Sequence, residues 1–553
     1  MFAPTAAPID PTELFVALVA AIGTDVGMVS DQLRIGLKKY AYTVHPLRLS
    51  DYLAEQSEED FRRKPFDERV WEAMNAGDQL RADWGRGDAL ALHAVSDIVA
   101  TRKQLAAPMP NQSQLPDYLN RSAFLLRSLK TPDELETLRS IYGPRLIVIA
   151  AYSPKDKRRD HLARKIAASR GNDDQTTWVH GPDELIRRDE REERVRGQDV
   201  SDTFHRADFF VRGWDEAVAK SDLDRILEVL FGSPFRTPTR AEHGQFIAAG
   251  AALRSAELSR QVGAAIAAPD GSIVAVGTNE VPTAGGGSRW EEDGRGNRDF
   301  EVGDVDTNRQ QFDELAARLT AQIDARVATI VNDADSGDAT VRATLEAVRA
   351  DVRSALPTEL HSGGLKDLTE FGRAMHAEMA ALLDAAMRGV PVRGATLYTT
   401  TFPCHNCARH IIGAGIARVV FIEPYTKSRA EQLHADSATI GRVEDAADTV
   451  VFEPFVGVAP RRYLELFDAA RRERLGHVGR RDRDGTKRRF VRSVARPVFS
   501  DAGLEQFRPD VREYRSKELI ALTHLVRHQS ATESVRSARQ GTQQDDKGDT
   551  TNG

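Results

Sequence analysis

His376-Ala377-Glu378 and, further along the same stretch, Pro403-Cys404-His405-Asn406-Cys407 decide how this chain is read, because its two cysteines both fall there. Zinc takes four ligands in a tetrahedron, and a hydrolytic site draws three from protein and leaves one position to water. One imidazole and two thiolates fill such a set, so His376, Cys404 and Cys407 are the expected metal ligands. Glu378, two residues past the histidine, falls beside the open position, where a carboxylate can move protons without touching the metal. Dithiol redox chemistry explains neither His376 nor Glu378.

The flanking pattern supplies the local fold. Met379, Leu382, Leu383 and Ala386 recur at helical spacing and Arg388-Gly389 ends the run, which puts His376 and Glu378 in the first turn of a helix. Ala395-Thr-Leu-Tyr-Thr-Thr400 reads as a short buried strand that delivers Pro403 and Cys404 to a second helix through Ile411 and Ile412. Arg418-Val-Val-Phe-Ile-Glu423 is the next strand. Two helix N-termini converge, and their partial positive charge favours thiolates.

Upstream, Glu13 to Ile22 is a buried-strand pattern that runs into Gly23-Thr24-Asp25, after which Val29, Leu33 and Leu37 keep helical spacing. Strand, glycine turn, helix opens a nucleotide-binding α/β fold. Aligned with a phosphate loop, Leu18 stands at the first glycine, Gly23 at the second, Thr24 at the lysine and Asp25 at the Ser/Thr. Without the lysine there is no fixed cation for phosphate, so Gly23, Thr24 and Asp25 are a degenerate loop. Strands are expected at 41–44, 123–126, 146–151 and 207–211, alternating with helices such as 67–82, 89–105 and 132–141, the sign of a parallel sheet. The mixed-charge run 183–196 reads as a solvated helix or flap. Gly232 to Thr239 is turn-rich and marks the domain boundary.

After that boundary a helix is expected over 242–261, then a hairpin with Asp270-Gly271 as its turn. Residues 283–306 are rich in glycine and charge, and 310–331 and 339–356 look helical. The last core strand is Thr449-Val-Val-Phe452, and the basic stretch 480–492 reads as solvated and partly disordered. From about Ser530 the polar composition predicts disorder.

At 553 residues the chain has room for two to three domains. Lys and Arg number 76 against 83 Asp and Glu, a net charge of −7, which argues against binding nucleic acid through bulk electrostatics. No stretch approaches the roughly twenty apolar residues that span a bilayer, and the N-terminus lacks signal-peptide features, so a cytoplasmic protein is expected, with no membrane partner. Cysteines used as metal ligands fit a reducing compartment.

His-x-Glu followed by Pro-Cys-x-x-Cys is the signature of zinc-dependent nucleobase deaminases, and the order helix, hairpin, His-Ala-Glu helix, strand, Pro-Cys-x-x-Cys helix, strand resembles the cytidine deaminase core. Val276-Gly-Thr-Asn-Glu-Val-Pro282 resembles the G-Y-N-x-x-P segment of nucleotide deaminases, which implies that the Asn279 amide meets the ribose hydroxyl. Leu258-Ser-Arg-Gln-Val-Gly-Ala264 is similar to the deoxycytidylate deaminase approach to the first strand and implies Arg260 as a phosphate contact. Tyr425 and Lys427 stand where that family lines its base and phosphate pocket.

Over roughly residues 10 to 475 the chain resembles the bacterial anti-phage dCTP/dCMP deaminases, on Ile22-Gly-Thr-Asp25, Arg127 to Glu134, Ile141-Tyr-Gly143, Leu253-Arg-Ser255, Glu280 to Gly286 and Glu423 to Lys427. The resemblance implies an α/β chain of three parts: a P-loop NTPase-like, kinase-like domain over 1–232, a cytidine deaminase-like α-β-α domain over 233–500 with an insertion at about 283–365, and a partly disordered tail over 501–553. It implies zinc as cofactor and hydrolysis of deoxycytidine nucleotides that starves a phage polymerase. The expected partners are free deoxycytidine nucleotides and further copies of the chain, with a regulatory nucleotide or RNA left open. Polynucleotide editing, housekeeping dCMP deamination and a non-catalytic zinc scaffold are the other readings. The acidic balance and the lack of interleaved aromatic and basic residues weigh against the first, and an intact Glu378 against the last.

Overall fold

The computed structural model describes residues 13–57, 60–105, 119–190, 200–294, 296, 298, 301, 307–333, 339–362, 371–424, 428–441, 449–474, 477, 479–482, 484–498 and 515–529. The chain divides into two compact units, Met1–His243 with Pro454–Gly553, and Gly244–Glu453.

In the first unit, β1 (Leu14–Ala20), β2 (Thr43–Arg48), β3 (Ser122–Leu129), β4 (Leu146–Tyr152) and β5 (Phe209–Arg212) form a parallel sheet in the order β5-β4-β1-β3-β2. All seven residues of β1 are buried, as a central strand covered on both faces requires, and that is why its sequence is a continuous apolar run. The second strand begins at Thr43 rather than at Ala41, because Ala41 takes a left-handed φ of 60° and closes a turn onto Lys38 O. The 183–196 run differs from a purely solvated helix: within the helix Pro182–Glu190, Asp189 is buried.

The expected deaminase domain, 233–500, departs from the structure at both ends. Glu242 belongs to the first unit, where it pairs with Arg225 and accepts the Thr239 N–H at 2.7 Å. Past Glu453 the chain returns to that unit: Gly457–Val458 pairs antiparallel with Phe209 and Phe210, and Val498 N donates to Leu230 O at 2.7 Å. The basic stretch is folded rather than loose, with Arg481 bridged to Lys487, Arg488 paired with Asp482 at 2.7 Å and Arg492 paired with Glu228. The expected tail holds a helix over 515–529. Its Glu518 is buried and takes Arg102, which also binds Glu13. The disorder expected from Ser530 lies outside the described residues.

In the second unit, β6 (Gly263–Ala267), β7 (Ile273–Thr278), β8 (Thr396–Thr401), β9 (Arg418–Glu423), β10 (Ala438–Ile440) and β11 (Val450–Pro454) form a sheet in the order β10-β11-β9-β8-β6-β7. β6 and β7 make the hairpin, with Gly271 at a φ of 96° in its turn, and β6 runs antiparallel to β8. β8 and β9 are parallel, so the C-terminal end of β8 leads out to a helix, the geometry in which open α/β sheets place ligands. The preceding helix, Arg240–Ala252, stops short of the expected Gln261 because the chain turns at Arg254 and Ser255, whose N–H groups fall back onto Ala251 O and Ala252 O. Within the insertion, Thr307–Asp333 and Ala339–Ser362 are paired helices joined by a two-point Arg349–Asp324 ion pair at 2.8 and 3.0 Å. No described helix is long and apolar enough to cross a membrane.

Candidate active site

His376 is the N-cap of the helix Ala377–Met387, and Cys404 is the N-cap of His405–Gly413, so both donors stand at helix starts as the sequence implies. His376 Nδ1 lies 3.3 Å from Cys404 Sγ and 3.4 Å from Cys407 Sγ. The three donor atoms fall within 4.8 Å of one another, and both cysteines are buried. Tetrahedral zinc with ordinary Zn–S and Zn–N lengths places neighbouring N and S donors about 3.5 Å apart. The donor set therefore fits zinc in chemistry and in spacing. Cys404 Sγ also accepts the Cys407 N–H at 3.4 Å.

The charges follow from this crowding. The Cys407 thiol, with His376 behind it, hydrogen-bonds Cys404 and pulls it down to about 4, a thiolate. That thiolate and burial hold Cys407 well above its ordinary value. Contact with Cys404 raises His376 to about 9 against the cost of burial. Glu378, 4% exposed, is pushed up chiefly by burial, with His376 opposing. Without a metal the Cys404 thiolate is thus paired with the His376 imidazolium, and a zinc ion bound by these three donors would displace the protons on His376 and Cys407.

What presses the His376 helix onto the sheet is Gly277 on β7. A Cβ there would collide with Ala377 O and Ala381 N, so only a glycine lets the strand backbone reach the helix that carries His376 and Glu378. Gly263 on β6 plays the same part against Ala248 O and Ala252 N. Sequence reasoning passed over both, although a glycine inside a strand pattern is the signal for a close backbone approach.

The other expected contacts come out unevenly. Asn279 is buried beside the hairpin end, but its amide is engaged by backbone: Nδ2 donates to Arg260 O at 2.8 Å and Oδ1 accepts from Val262 N at 2.7 Å. It fixes the 260–262 turn. Arg260 is exposed and paired with Glu423 at 2.7 Å, so a phosphate there competes with a carboxylate already in place. Tyr425 and Lys427 lie outside the described residues.

In the first unit, Gly23 has a φ of 86° and packs under Arg158, whose carbonyl oxygen a Cβ would meet at 2.7 Å. Three of the loop's N–H groups are committed within the chain: Thr24 N to Ala21 O, Val26 N to Thr24 O, and Met28 N to the Asp25 carboxylate at 2.9 Å. Ile22 N donates to Asp189 at 2.8 Å. A phosphate cradle needs such groups free to face an anion.

Residues 241–423 match the family model described as the cytidine and deoxycytidylate deaminase zinc-binding region. ComE operon protein 2 of Bacillus subtilis (strain 168) is 42% identical over 74 residues, 13% of this chain and 39% of that protein. The deoxycytidylate deaminase of Enterobacteria phage T4 is 44% identical over 55 residues, 10% of this chain and 28% of that one, and the Homo sapiens deoxycytidylate deaminase is 32% identical over 89 residues, 16% and 45%. The chain thus spans less than half the length of these curated relatives. Among solved structures, dCMP deaminase from the cyanophage S-TIM5 in complex with dCMP and dUMP aligns at 16% identity over 40% of this chain and 98% of that one, with a TM-score of 0.21. Over residues 241–423, then, the chain is similar to the zinc-binding region shared by cytidine and deoxycytidylate deaminases.

Proposed function

We propose that the second unit hydrolyses deoxycytidine nucleotides, dCMP or dCTP, to the uracil nucleotide and ammonia. The observation that carries the reading is the triangle of half-buried His376 Nδ1 with buried Cys404 Sγ and Cys407 Sγ, and the buried Glu378 in the helix that His376 caps. Zinc held by those three residues supplies the Lewis acidity that makes water a nucleophile near neutral pH. Glu378 takes a proton from the water that adds at C4 of cytosine and passes it to N3. The hydroxyl now on C4 gives its remaining proton through the same carboxylate to the amine, so the C4–N bond breaks, C4 becomes a carbonyl and ammonia leaves. Burial keeps that carboxyl away from bulk water, which suits a group that must hold and release a proton.

For the whole chain the same reading is depletion of dCTP during phage infection, supported by the motif resemblance that runs through both units. The first unit is a kinase-derived domain that no longer transfers phosphate and instead restrains the deaminase. The test is to incubate the purified full chain with dCMP, dCTP, CTP and a cytosine-containing oligonucleotide. Uracil formed from the free deoxynucleotides, with ammonia in equal amount, supports the reading. Conversion of the oligonucleotide alone, or of nothing, overturns it.

A further inference from the structure

Beside the His-Ala-Glu helix, the second unit gathers guanidinium groups that make no ion pair among the described residues, although Glu280 and Asp293 act on Arg254 at longer range. Met375, next to the expected ligand His376, donates its N–H to Glu280 O at 3.0 Å and so ties the start of the His-Ala-Glu helix to the loop that follows β7. Arg298 donates twice to Glu280 Oε2, at 2.6 and 3.1 Å, while Oε1 accepts the Val281 N–H at 2.9 Å, and Arg298 also reaches Arg254 O at 2.8 Å. Arg254 in turn lies over the Trp290 ring, 3.8 Å from its centroid, and touches Arg289 O at 3.5 Å. Arg289 is pinned through its N–H to Val281 O.

Arg254, Arg289 and Arg373 have no carboxylate partner among the described residues. Arg254 Nε, Arg289 Nε and Arg373 Nη1 are buried donors without an acceptor, and Thr283 Oγ1 on the same loop is a fourth unpartnered polar atom. A buried N–H left unpaired costs more than the bond it forgoes, and a charged one costs most. Several such donors around one loop match an anion with several oxygens, and the planar guanidinium is the side chain suited to phosphate.

We propose that Arg254, Arg289 and Arg373, with Thr283, form a binding site for the phosphate groups of a nucleotide at the deaminase centre. The assignment to a nucleotide rests on the deaminase reading, whereas the anion site can be tested without catalysis. It moves the main phosphate contact from Arg260, already paired with Glu423, to the loop after β7.

The experiment titrates inorganic tripolyphosphate into the zinc-loaded full chain, as wild type and as Arg254→Gln, Arg289→Gln and Arg373→Gln. Binding by the wild type that weakens at least about tenfold in each variant, at unchanged zinc content and thermal unfolding, is the expected result; one lost bidentate phosphate contact has about that effect. No binding by the wild type, or equal binding by the variants, overturns the site. Arg254→Lys keeps the charge while losing the planar fork, so it holds the fold if Arg254→Gln does not, and it too must weaken binding. Tripolyphosphate that competes with dCTP marks substrate phosphates, and tripolyphosphate that changes turnover without competing marks a regulatory nucleotide. Both support the site. Binding retained in a chain that deaminates nothing would overturn the enzymatic reading and leave the anion site standing.

Discussion

Asp189 Oδ2 accepts the backbone N–H of Ile22 at 2.8 Å while Oδ1 takes the Lys130 ammonium at 3.0 Å, so the loop that closes β1 already faces an anion of the chain's own. A phosphate in that place would meet a buried carboxylate, and no lysine from Gly23-Thr24-Asp25 is there to offset it. Purified protein is therefore expected to transfer no phosphate from ATP to dCMP or to any deoxynucleoside, measured by product chromatography. Asp189→Ala leaves the Lys130 charge and the Ile22 N–H unpaired, and the first unit should lose about 2 to 4 kcal/mol in denaturant unfolding. Phosphate transfer by the wild type, or a variant of unchanged stability, contradicts this account of the loop.

The close approach at Gly277 gives a prediction at the second unit. In Gly277→Ala a methyl must fit where Ala377 O and Ala381 N now sit, and overpacking of this kind costs about 1 to 3 kcal/mol. Because the displaced helix carries His376 and Glu378, nucleotide turnover should fall together with stability. Turnover that is unchanged in a folded variant would show that the helix position is not set by this contact.

Buried His93 and half-buried His477 set a pH limit on the first unit. His93, stacked on Tyr52, and His477 are both held down to about 4 by burial. Below the unfolded value of about 6.5 the unfolded chain takes a proton that the folded one refuses. Their stability is thus fully present above about pH 6.5 and is lost as pH falls toward 4, by up to about 3 kcal/mol for each residue. Replacing His93 with Phe should flatten that slope in unfolding followed by tryptophan fluorescence. A slope that is the same in the variant would exclude His93 as a cause.

Much of this was legible in the chain itself. The cluster of His376, Cys404 and Cys407, with Glu378 in the same helix start, could be read because these are chemically unusual residues at helix starts whose periodicity is plain, and the hairpin because Asp270-Gly271 is a strong turn. The boundaries were harder. The path of 454–498 is set by pairing of Gly457 and Val458 with β5, a contact between residues far apart in sequence that no local pattern carries. Likewise, 183–196 reads as solvated because charge density hides the residues that turn inward within its described part, Leu185, Ile186 and Asp189. Arg254, Arg289 and Arg373 look like ordinary surface charge, since a guanidinium without an ion-pair partner is recognisable only once its neighbours are known.

The central claim is that Glu378 moves protons beside a zinc ion held by His376, Cys404 and Cys407 and is not itself a ligand. The most direct measurement compares wild type and Glu378→Ala for zinc content and for dCMP and dCTP turnover on the same preparations. The account predicts about one zinc per chain in both, with turnover lower in the variant by about 10² to 10⁴, the usual size of a general acid–base contribution. Zinc lost along with activity would make Glu378 a ligand, and turnover retained at full zinc would contradict the assigned role outright.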